Sequence, residues 1–499
     1  MKSNPSKNRS SFESVKLRTF SSEPNIKQPK SVEKFDDKRI VLTKLFVAVI
    51  FLSSMLGVFF ADNVTSDGFL AVTLFAILLL SNYLGFVLLR KDIPVLLIFS
   101  LFCVYIWLAF PFKLMLALYD PMTLWVSHSF FSPQDVSKEI ADAFIALFPG
   151  LLFLFVGFYV INFKFSPRKQ YSILKIQHVK FITVIVSLMV LRVFIQLFLD
   201  IGVPGLKPKP IPIPFAVGTL ELLTRPVLLA LVNVYFYYVI RFNDKKWIKV
   251  ALLLCLVNIA LGLRVGYKSE LVLQVLLLMY YLFEVFPYIS KANRKFMSVF
   301  TASMLVAMIV LYPLVNHYRS YILSGKDISE AVESAQVRTE KEEGNFALSF
   351  LNRINGIGAF YAAKKLGEGE VYTLSALFND DVMDLIKYKL YGSAKDKAVT
   401  AFGTTQFSVF YLIGGGLFLS VSCLLIGIVI RYTSSFLQVV LFKSKYTFNA
   451  YLPLLCILWV KLLSSGGNIM LYIKELALVV VCLMLLERFS IVTGESKEI

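Results

Sequence analysis

Residues 179–200 read VKFITVIVSLMVLRVFIQLFLD, an apolar run with one arginine, Arg192, set inside it. At 1.5 Å per residue, a helix over this run is about 33 Å long, which is enough to cross the hydrocarbon core of a bilayer. An arginine there costs about 2.5–3.5 kcal/mol on insertion scales, so it is a candidate functional residue. The stretch therefore predicts a membrane-spanning helix with a polar site inside it.

The composition extends this prediction to the whole chain. Of the 499 residues, 57% are hydrophobic, and the mean hydropathy is +0.70, whereas soluble domains are about 45–50% apolar. Apolar runs of about 20 residues, the length of a membrane span, recur along the sequence. We therefore predict an all-α polytopic membrane protein with about twelve transmembrane helices. The predicted spans are 40–61, 69–89, 93–110, 141–163, 179–200, 217–240, 247–263, 270–289, 296–313, 405–430, 448–464 and 468–486.

The net charge of +18 follows the loops between these spans. With the N-terminus in the cytoplasm, Lys and Arg concentrate in the inner loops at 164–175, 241–246, 291–295 and 431–445, and the outer loops are short or nearly neutral. This is the positive-inside distribution of membrane proteins. We therefore predict that both termini are cytoplasmic and that the bilayer, not nucleic acid, is the partner of the basic residues.

The predicted topology divides the chain into five segments. Residues 1–39 are rich in Ser, Lys and Asn without periodicity, which predicts a disordered cytoplasmic tail. The first nine spans occupy 40–313, and the last three occupy 405–486. Between them, 314–404 form a large outer loop, and 487–499 form a second cytoplasmic tail.

The sequence indicates no metal or cofactor. The five cysteines lie singly in predicted spans and the three histidines are scattered, so neither type has the spacing of a metal site. No Walker-type loop is present, and the glycines at 414–416 lie in an apolar run, where close helix packing explains them better than phosphate binding.

The deep charges share the outer half of the predicted bilayer. Arg192 lies about 18 Å into its span, past the midplane, and Arg225 lies about 12 Å below the outer surface. Arg264 ends its span at the outer side, and Lys268 follows in the turn. Because a guanidinium binds phosphate oxygens in pairs and stays charged at low dielectric, we predict an outer site for an anionic group.

Structural roles remain open for each of these residues alone. Glu221 and Arg225 are four residues apart on one helix face, where they can neutralise each other. Arg264 and Lys268 can extend to the outer interface. Lys474, in the last span, can pair with an acid on a neighbouring helix.

Two outer segments flank the predicted site. Residues 203–214 contain five prolines, which exclude a regular helix. An extended element on the interface, a re-entrant loop and an ordinary outer loop all fit this stretch. In the large loop, residues 347–361 are apolar at roughly helical spacing and carry Arg353. They predict an amphipathic helix at the outer surface, in a loop of a size to cap a membrane cavity.

The run ALGLRVGYK, from Ala260 to Lys268, joins two spans by a tight outer turn. It resembles the Gly-x-Arg turn of Wzy-type polymerases of O-antigen and exopolysaccharide. The large loop before the last three spans is similar to that family's major periplasmic loop, with 352–355 similar to its Arg-containing segment and 400–416 to its entry into the next span. Leu263 departs from the family, which often has Ser there. The resemblance covers the C-terminal half and the topology, and it implies a GT-C-like or Wzy-like architecture.

The resemblance implies a metal-independent glycosyltransferase in the bacterial inner membrane. Such enzymes polymerise undecaprenyl-diphosphate-linked oligosaccharide repeat units of O-antigen, capsule or exopolysaccharide at the periplasmic face. The lipid diphosphate is the leaving group, so no nucleotide or redox cofactor is needed, and buried cations stabilise its developing charge. A flippase and a chain-length regulator are the protein partners that this chemistry implies.

On this hypothesis the candidate residues have two roles. Arg264, Arg353 and His317 are predicted to be catalytic, and the acceptor hydroxyl needs a base, for which His317 and the acids of the large loop are candidates. The predicted diphosphate-binding residues are Arg192, Arg225, Arg264, Lys268 and Arg319.

Other functions share these features. A secondary transporter or a flippase for lipid-linked glycans also places charges within its spans, although the internal repeats common in transporters are not evident between the chain halves. An O-antigen-type ligase differs only in the acceptor of the glycan. A membrane scaffold does not explain the deep arginines.

Overall fold

The computed structural model describes the chain in thirteen stretches. They are residues 66–88, 93–114, 136–161, 171–203, 208–213, 216–242, 245–285, 291–323, 356–367, 372–378, 405–438, 445–464 and 468–495. The chain divides into two units, Met1–Val49 and Ile50–Ile499, and all the described residues lie in the second. The predicted tail 1–39 and the predicted first span 40–61 therefore lie outside the described residues.

Helices make up nearly all of the described chain, because an apolar segment in a membrane must satisfy its backbone hydrogen bonds internally. Each predicted span from 69–89 onward falls on one of them. In chain order they are α1 (Ser66–Leu88), α2 (Ile93–Ala109), α3 (Val136–Val160), α4 (His178–Phe198), α5 (Ala216–Arg241), α6 (Lys245–Arg264), α7 (Lys268–Val285), α8 (Lys291–Leu323), α9 (Ile357–Gly367), α10 (Gln406–Phe436), α11 (Lys445–Ser464) and α12 (Ile469–Ser490).

Within the described ranges, six helices are long and apolar enough to cross a membrane. Shorter apolar helices lie in α1, α2, α7 and α11. The protein is therefore a helical membrane protein, as its composition predicted. The six candidate spans are Lys138–Val160, His178–Phe198, Ala216–Arg241, Lys246–Arg264, Arg294–Tyr312 and Gln406–Phe436.

A short β-ribbon departs from the all-α prediction. Strands β1 (Tyr171–Ile176) and β2 (Ile491–Glu495) pair antiparallel, with Tyr171 opposite Glu495 and Ile176 opposite Ile491. Each strand is too short for its periodicity to stand out, and the partner strand is far away in the sequence. The pairing brings the segment before α4 and the segment after α12 to the same end of the helices.

The closest approach between long helices is the crossing of α3 and α10. A Cβ added to Gly427 of α10 would lie 2.9 Å from the Phe158 nitrogen and 3.2 Å from the Gly157 carbonyl carbon of α3. A Cβ added to Gly150 of α3 would lie 2.7 Å from the Leu419 Cγ of α10. Small residues let membrane helices pack backbone against backbone, so these glycines hold the two helices together.

The glycines at 414–416 have a different role from the predicted one. Helix α10 bends where Gly414 and Gly415 leave helical geometry, and Gly415 has φ +63°. Nothing lies within 4 Å of a Cβ built on Gly415 or Gly416. The prediction of close helix packing is therefore wrong for these two residues, because the sequence shows a glycine but not whether it provides space or a left-handed backbone.

Helix α8 is longer than the predicted span 296–313. Its 33 residues give a length of about 50 Å at 1.5 Å per residue, which exceeds a hydrocarbon core of about 30 Å. The first residues of the predicted outer loop therefore continue the helix, and His317 and Arg319 are helical residues.

Helix α9, from the predicted outer loop, is buried rather than amphipathic at a surface. Ile357, Phe360 and Ala363 are fully buried, and the Phe360 ring lies 5.4 Å from the ring of Tyr411 in α10. Of the predicted amphipathic segment 347–361, residues 347–355, with Arg353, lie outside the described residues. The rest packs against α3 and α10.

Helix α5 is the centre of the fold. Every side chain from Leu228 to Ile240 is buried, and α5 contacts α4, α6, α7, α11 and α12. A helix that is apolar on all sides must be surrounded by other helices. The N-terminal part of α5 carries Arg225, so the central helix positions the candidate site.

Candidate functional site

The N-terminal part of α5 contains a π-helical turn over Leu223–Val227, with Arg225 and Pro226 inside it. Pro226 has no N–H to give to the helix, and the N–H of Leu228 bonds the carbonyls of both Leu223 and Arg225. The wider turn accommodates the proline without ending the helix. Single π turns often occur at functional sites, and this one carries a deep arginine.

Arg192 of α4 is held by a carboxylate that the sequence analysis did not single out. Its Nη2 donates to both carboxylate oxygens of Glu270 at 2.8 Å, and the two side chains are 1% and 8% exposed. Its Nη1 donates to Asn258 Oδ1 at 3.4 Å. A Cβ on Gly262 would lie 2.6 Å from Glu270 Oε2, so the glycine gives this carboxylate the room it occupies.

Arg225 shares the same carboxylate. Its Nε lies 3.4 Å from Glu270 Oε1, and its Nη1 donates to Glu221 Oε1 at 2.5 Å. The guanidinium carbon is 3.7 Å from the centre of the Tyr267 ring, and the side chain is 25% exposed. The structure therefore brings Arg192 and Arg225 together on Glu270, and the helix-face pairing with Glu221 also forms. Two guanidinium groups face two carboxylates in this cluster.

Arg264 lies in a different electrostatic environment. It is half-buried at the end of α6, and within the described ranges its guanidinium makes no hydrogen bond or ion pair. Its backbone carbonyl accepts a 3.0 Å hydrogen bond from the Tyr318 hydroxyl of α8. Arg264 is therefore held through its backbone, and no carboxylate among the described residues offsets its charge.

The turn that follows Arg264 is a Schellman motif. The N–H of Tyr267 bonds the Gly262 carbonyl, and the N–H of Gly266 bonds the Leu263 carbonyl, both at 2.9 Å. Gly266 has φ +75°, a conformation that side-chain-bearing residues rarely adopt. The predicted tight turn thus depends on Gly266, and it orients Tyr267 toward Arg225 and Glu270 toward Arg192.

For the other predicted site residues, the structure gives at most the position of the backbone. Lys268 begins α7 directly after the turn. His317 and Arg319 flank Tyr318 along α8, so their backbones lie next to the contact with Arg264. Arg353 lies outside the described residues.

Amides continue the charged cluster into the helix bundle. Asn258 Nδ2 donates to Gln274 Oε1 at 3.4 Å, and Gln274 and Asn233 exchange hydrogen bonds at 2.8 and 3.1 Å. All three side chains are fully buried. Buried amides between membrane helices join them by hydrogen bonds, so this network fixes α5, α6 and α7 below the arginines.

The proline-rich segment folds back onto the end of α4. The N–H of Lys209 bonds the Leu199 carbonyl, and Lys209 Nζ bonds the Phe198 carbonyl, both at 2.9 Å. At Gly202, a Cβ would lie 3.7 Å from Arg225 Cδ and 3.9 Å from Glu221 Cγ. The backbone just before this segment, at Gly202, therefore lies beside the side chain of Arg225.

Lys461 and Glu475 form another pair between α11 and α12. Their Nζ and Oε2 atoms are 2.6 Å apart, and Glu475 is 3% exposed. Helix α12 also packs against the π turn that carries Arg225. This pair gives one of the deep lysines a carboxylate partner of the kind that the sequence analysis left open for Lys474.

A polar contact ties α9 to the start of α3. Tyr361 donates its hydroxyl hydrogen to Glu139 Oε2, and Lys365 Nζ lies 2.9 Å from the same oxygen. Burial and the bond to Glu139 raise the pKa of Tyr361 to about 12. The bond to Glu139 also raises the pKa of Lys365, so this lysine stays charged at neutral pH.

Comparison with protein-family models, with curated proteins and with solved structures gives no match for this chain.

Proposed function

We propose that this protein is a membrane glycosyltransferase that polymerises oligosaccharide units carried on undecaprenyl diphosphate. The observation that carries the proposal is Arg264: a half-buried guanidinium on a rigid turn, with no ion-pair partner in the described chain, next to two further arginines. A site of this kind is suited to a diphosphate, because a guanidinium donates paired hydrogen bonds to phosphate oxygens.

The geometry suggests different roles for the three arginines. Arg192 is buried against both oxygens of Glu270 and serves the fold. Arg225 is partly exposed and holds Glu270 at 3.4 Å, so it can exchange a carboxylate for a phosphate oxygen. Arg264 contributes the charge that no described carboxylate offsets. In a site with little water, that charge stabilises the diphosphate as it leaves the anomeric carbon.

In this proposal, residues of α8 activate the acceptor sugar. Tyr318 contacts the turn of Arg264, and His317 and Arg319 are its neighbours in the chain. His317 would accept the proton of the attacking sugar hydroxyl, and Arg319 and Lys268 would add positive charge near the diphosphate. Arg353 would act from the large loop.

The proposal includes the predicted topology. Twelve spans, both termini in the cytoplasm and the site at the periplasmic face of a bacterial inner membrane suit a substrate delivered to the outside. The pairing of β1 with β2 supports one part of this topology, because it places an inner loop and the C-terminal segment at the same end.

The test is a deletion of the gene in its host, with surface and lipid-linked glycans separated on a gel. Loss of long polymer with single units still delivered outside supports the polymerase. Units retained inside indicate a flippase, and full-length polymer left on its carrier indicates a ligase. Complementation with Arg264→Gln is expected to restore no polymer, and complementation with Arg241→Gln to restore it. Arg241 is the matched control because it ends α5 as Arg264 ends α6.

A further inference from the structure

The beginning of α10 has the properties of a second anion site, away from the arginine cluster. Thr405 caps the helix, with its carbonyl and its Oγ1 bonded to the Ser408 N–H at 3.0 and 3.3 Å. In the described chain, no group accepts a hydrogen bond from the N–H of Gln406 or Phe407. The N-terminus of a long helix carries partial positive charge on such groups and attracts phosphates.

A buried amide at the same place provides the independent indication of a ligand. Gln406, the first residue of α10, is fully buried. Among the residues that the structure describes, neither its Oε1 nor its Nε2 has a hydrogen-bond partner. Native proteins rarely leave both ends of a buried amide unbonded, so an unpartnered pair calls for an explanation. A bound phosphate would accept a hydrogen bond from Nε2, and a hydroxyl on the group that it carries would donate one to Oε1.

A buried lysine lies one helical turn from a residue that packs against this helix end. The Phe110 ring meets the Phe407 ring edge-on, with centroids 5.3 Å apart. Lys113 is 7% exposed and lies one residue before Leu114, whose N–H closes a helical turn onto the Phe110 carbonyl at 2.9 Å. Residues three apart in a helix lie about 5–6 Å from each other. Lys113 is therefore one helical turn from Phe110, whose ring packs on Phe407, the neighbour of Gln406.

Helix α9 completes the corner. Its Phe360 ring packs on Tyr411 in the first turns of α10. The residue before α9, Gly356, lies so close to the Ala109 carbonyl that a side chain there would collide with it. The corner is thus lined by α2, α9 and α10, whereas the arginine cluster is built on α4 to α8. On the predicted topology, both lie toward the outer face.

We propose that the N-terminus of α10, with Lys113 and Gln406, holds the phosphate group of a second polyprenyl diphosphate, that of the acceptor unit. This inference rests on the proposed function, because polymerisation brings two carrier-linked substrates together. The arginine cluster then holds the diphosphate that leaves, and the α10 site holds the diphosphate that stays on its glycan.

The experiment measures binding of radiolabelled farnesyl diphosphate to the purified full-length protein in phosphatidylcholine nanodiscs. Two bound molecules per chain are expected, falling to one in Gln406→Glu and to one in Arg264→Gln. Glu has the shape of Gln and stabilises a helix N-terminus, but its charge repels a phosphate. Because a buried carboxylate costs stability, the thermal midpoint is measured for each variant, and Lys113→Gln is the second variant that separates lost binding from misfolding.

Two further variants complete the binding test. Lys113→Gln is expected to weaken the α10 site by about tenfold or more, the loss of one charge-assisted hydrogen bond. Lys249→Gln, an exposed lysine of α6, should leave both sites unchanged. Retention of two sites at full affinity in both Gln406→Glu and Lys113→Gln would overturn the inference.

Lipid composition identifies the source of the phosphate. If phosphatidylglycerol nanodiscs abolish binding at the α10 site alone, a bulk lipid headgroup occupies it and the assignment to a carrier is overturned. Unequal outcomes also separate the two proposals. Two phosphate sites together with an unchanged glycan profile in the deletion strain would reject the polymerase and keep the site. Loss of polymer together with a single phosphate site would keep the polymerase and reject the second site.

Discussion

The Arg192–Glu270 pair and the Arg264 turn lie next to each other, but they differ in how the charge of the arginine is offset. Arg192 is 1% exposed and bonded to both oxygens of one carboxylate, whereas Arg264 is half-buried without an ion-pair partner in the described chain. The difference shows that an arginine in a membrane span does not by itself mark a ligand site. An arginine whose charge is offset by acids from other helices is explained by the fold, and only one without such acids is a candidate for binding a ligand.

The largest expected change in stability comes from removing the carboxylate of the Arg192–Glu270 pair. Glu270→Ala leaves the Arg192 guanidinium buried without its counter-charge, so we expect a loss of about 3–5 kcal/mol in the free energy of unfolding. Thermal unfolding in detergent, followed by tryptophan fluorescence, measures it. The double variant Arg192→Leu/Glu270→Leu should recover most of the stability. A single variant as stable as the wild type would contradict the structural role of the pair.

A smaller loss is expected where the turn meets the pair. In Gly262→Ala, the added Cβ would lie 2.6 Å from Glu270 Oε2, so the carboxylate must move, at a cost of about 1–3 kcal/mol. Gly218→Ala in α5 is the matched control, because nothing lies within 4 Å of its Cβ. The same unfolding measurement applies. Equal midpoints for the two variants would show that the Glu270 carboxylate does not need the space beside Gly262.

The two regions also differ in what the sequence could reveal. Apolar length predicted the helices, and the short gap between the predicted spans 247–263 and 270–289 predicted the tight turn. Glu270 was passed over because it stands at the edge of a predicted span, where an acid is ordinary. Its role depends on contacts between α4, α5 and α7, which no local pattern contains. The amides Asn233, Asn258 and Gln274 were missed for the same reason.

A further effect, at most about 1 kcal/mol, is expected at the contact between α3 and α9, since ion pairs at this exposure contribute little. Glu139→Gln removes the charge opposite Lys365 but keeps an acceptor for the Tyr361 hydroxyl. Limited proteolysis between α9 and α10 tests whether this contact holds the loop helix. Cleavage at the wild-type rate in Glu139→Ala would show that apolar packing alone fixes α9.

The smallest change in stability is expected at Arg264, where substitution by Gln removes no described ion pair. We expect a change within about 0.5 kcal/mol, as at other positions without buried partners. The Tyr318 bond to the backbone carbonyl is retained. A loss of stability comparable to that of Glu270→Ala would show that Arg264 is ion-paired like Arg192, and the two regions would then not differ.

The central claim is that Arg264 serves the substrate while Arg192 serves the fold. Its most direct measurement is the surface glycan of a deletion strain complemented with Arg264→Gln, at a protein level and thermal midpoint matched to the wild type. We predict delivered single units without long polymer, and normal polymer with the Arg241→Gln control. Normal polymer from Arg264→Gln at matched protein level would contradict the account.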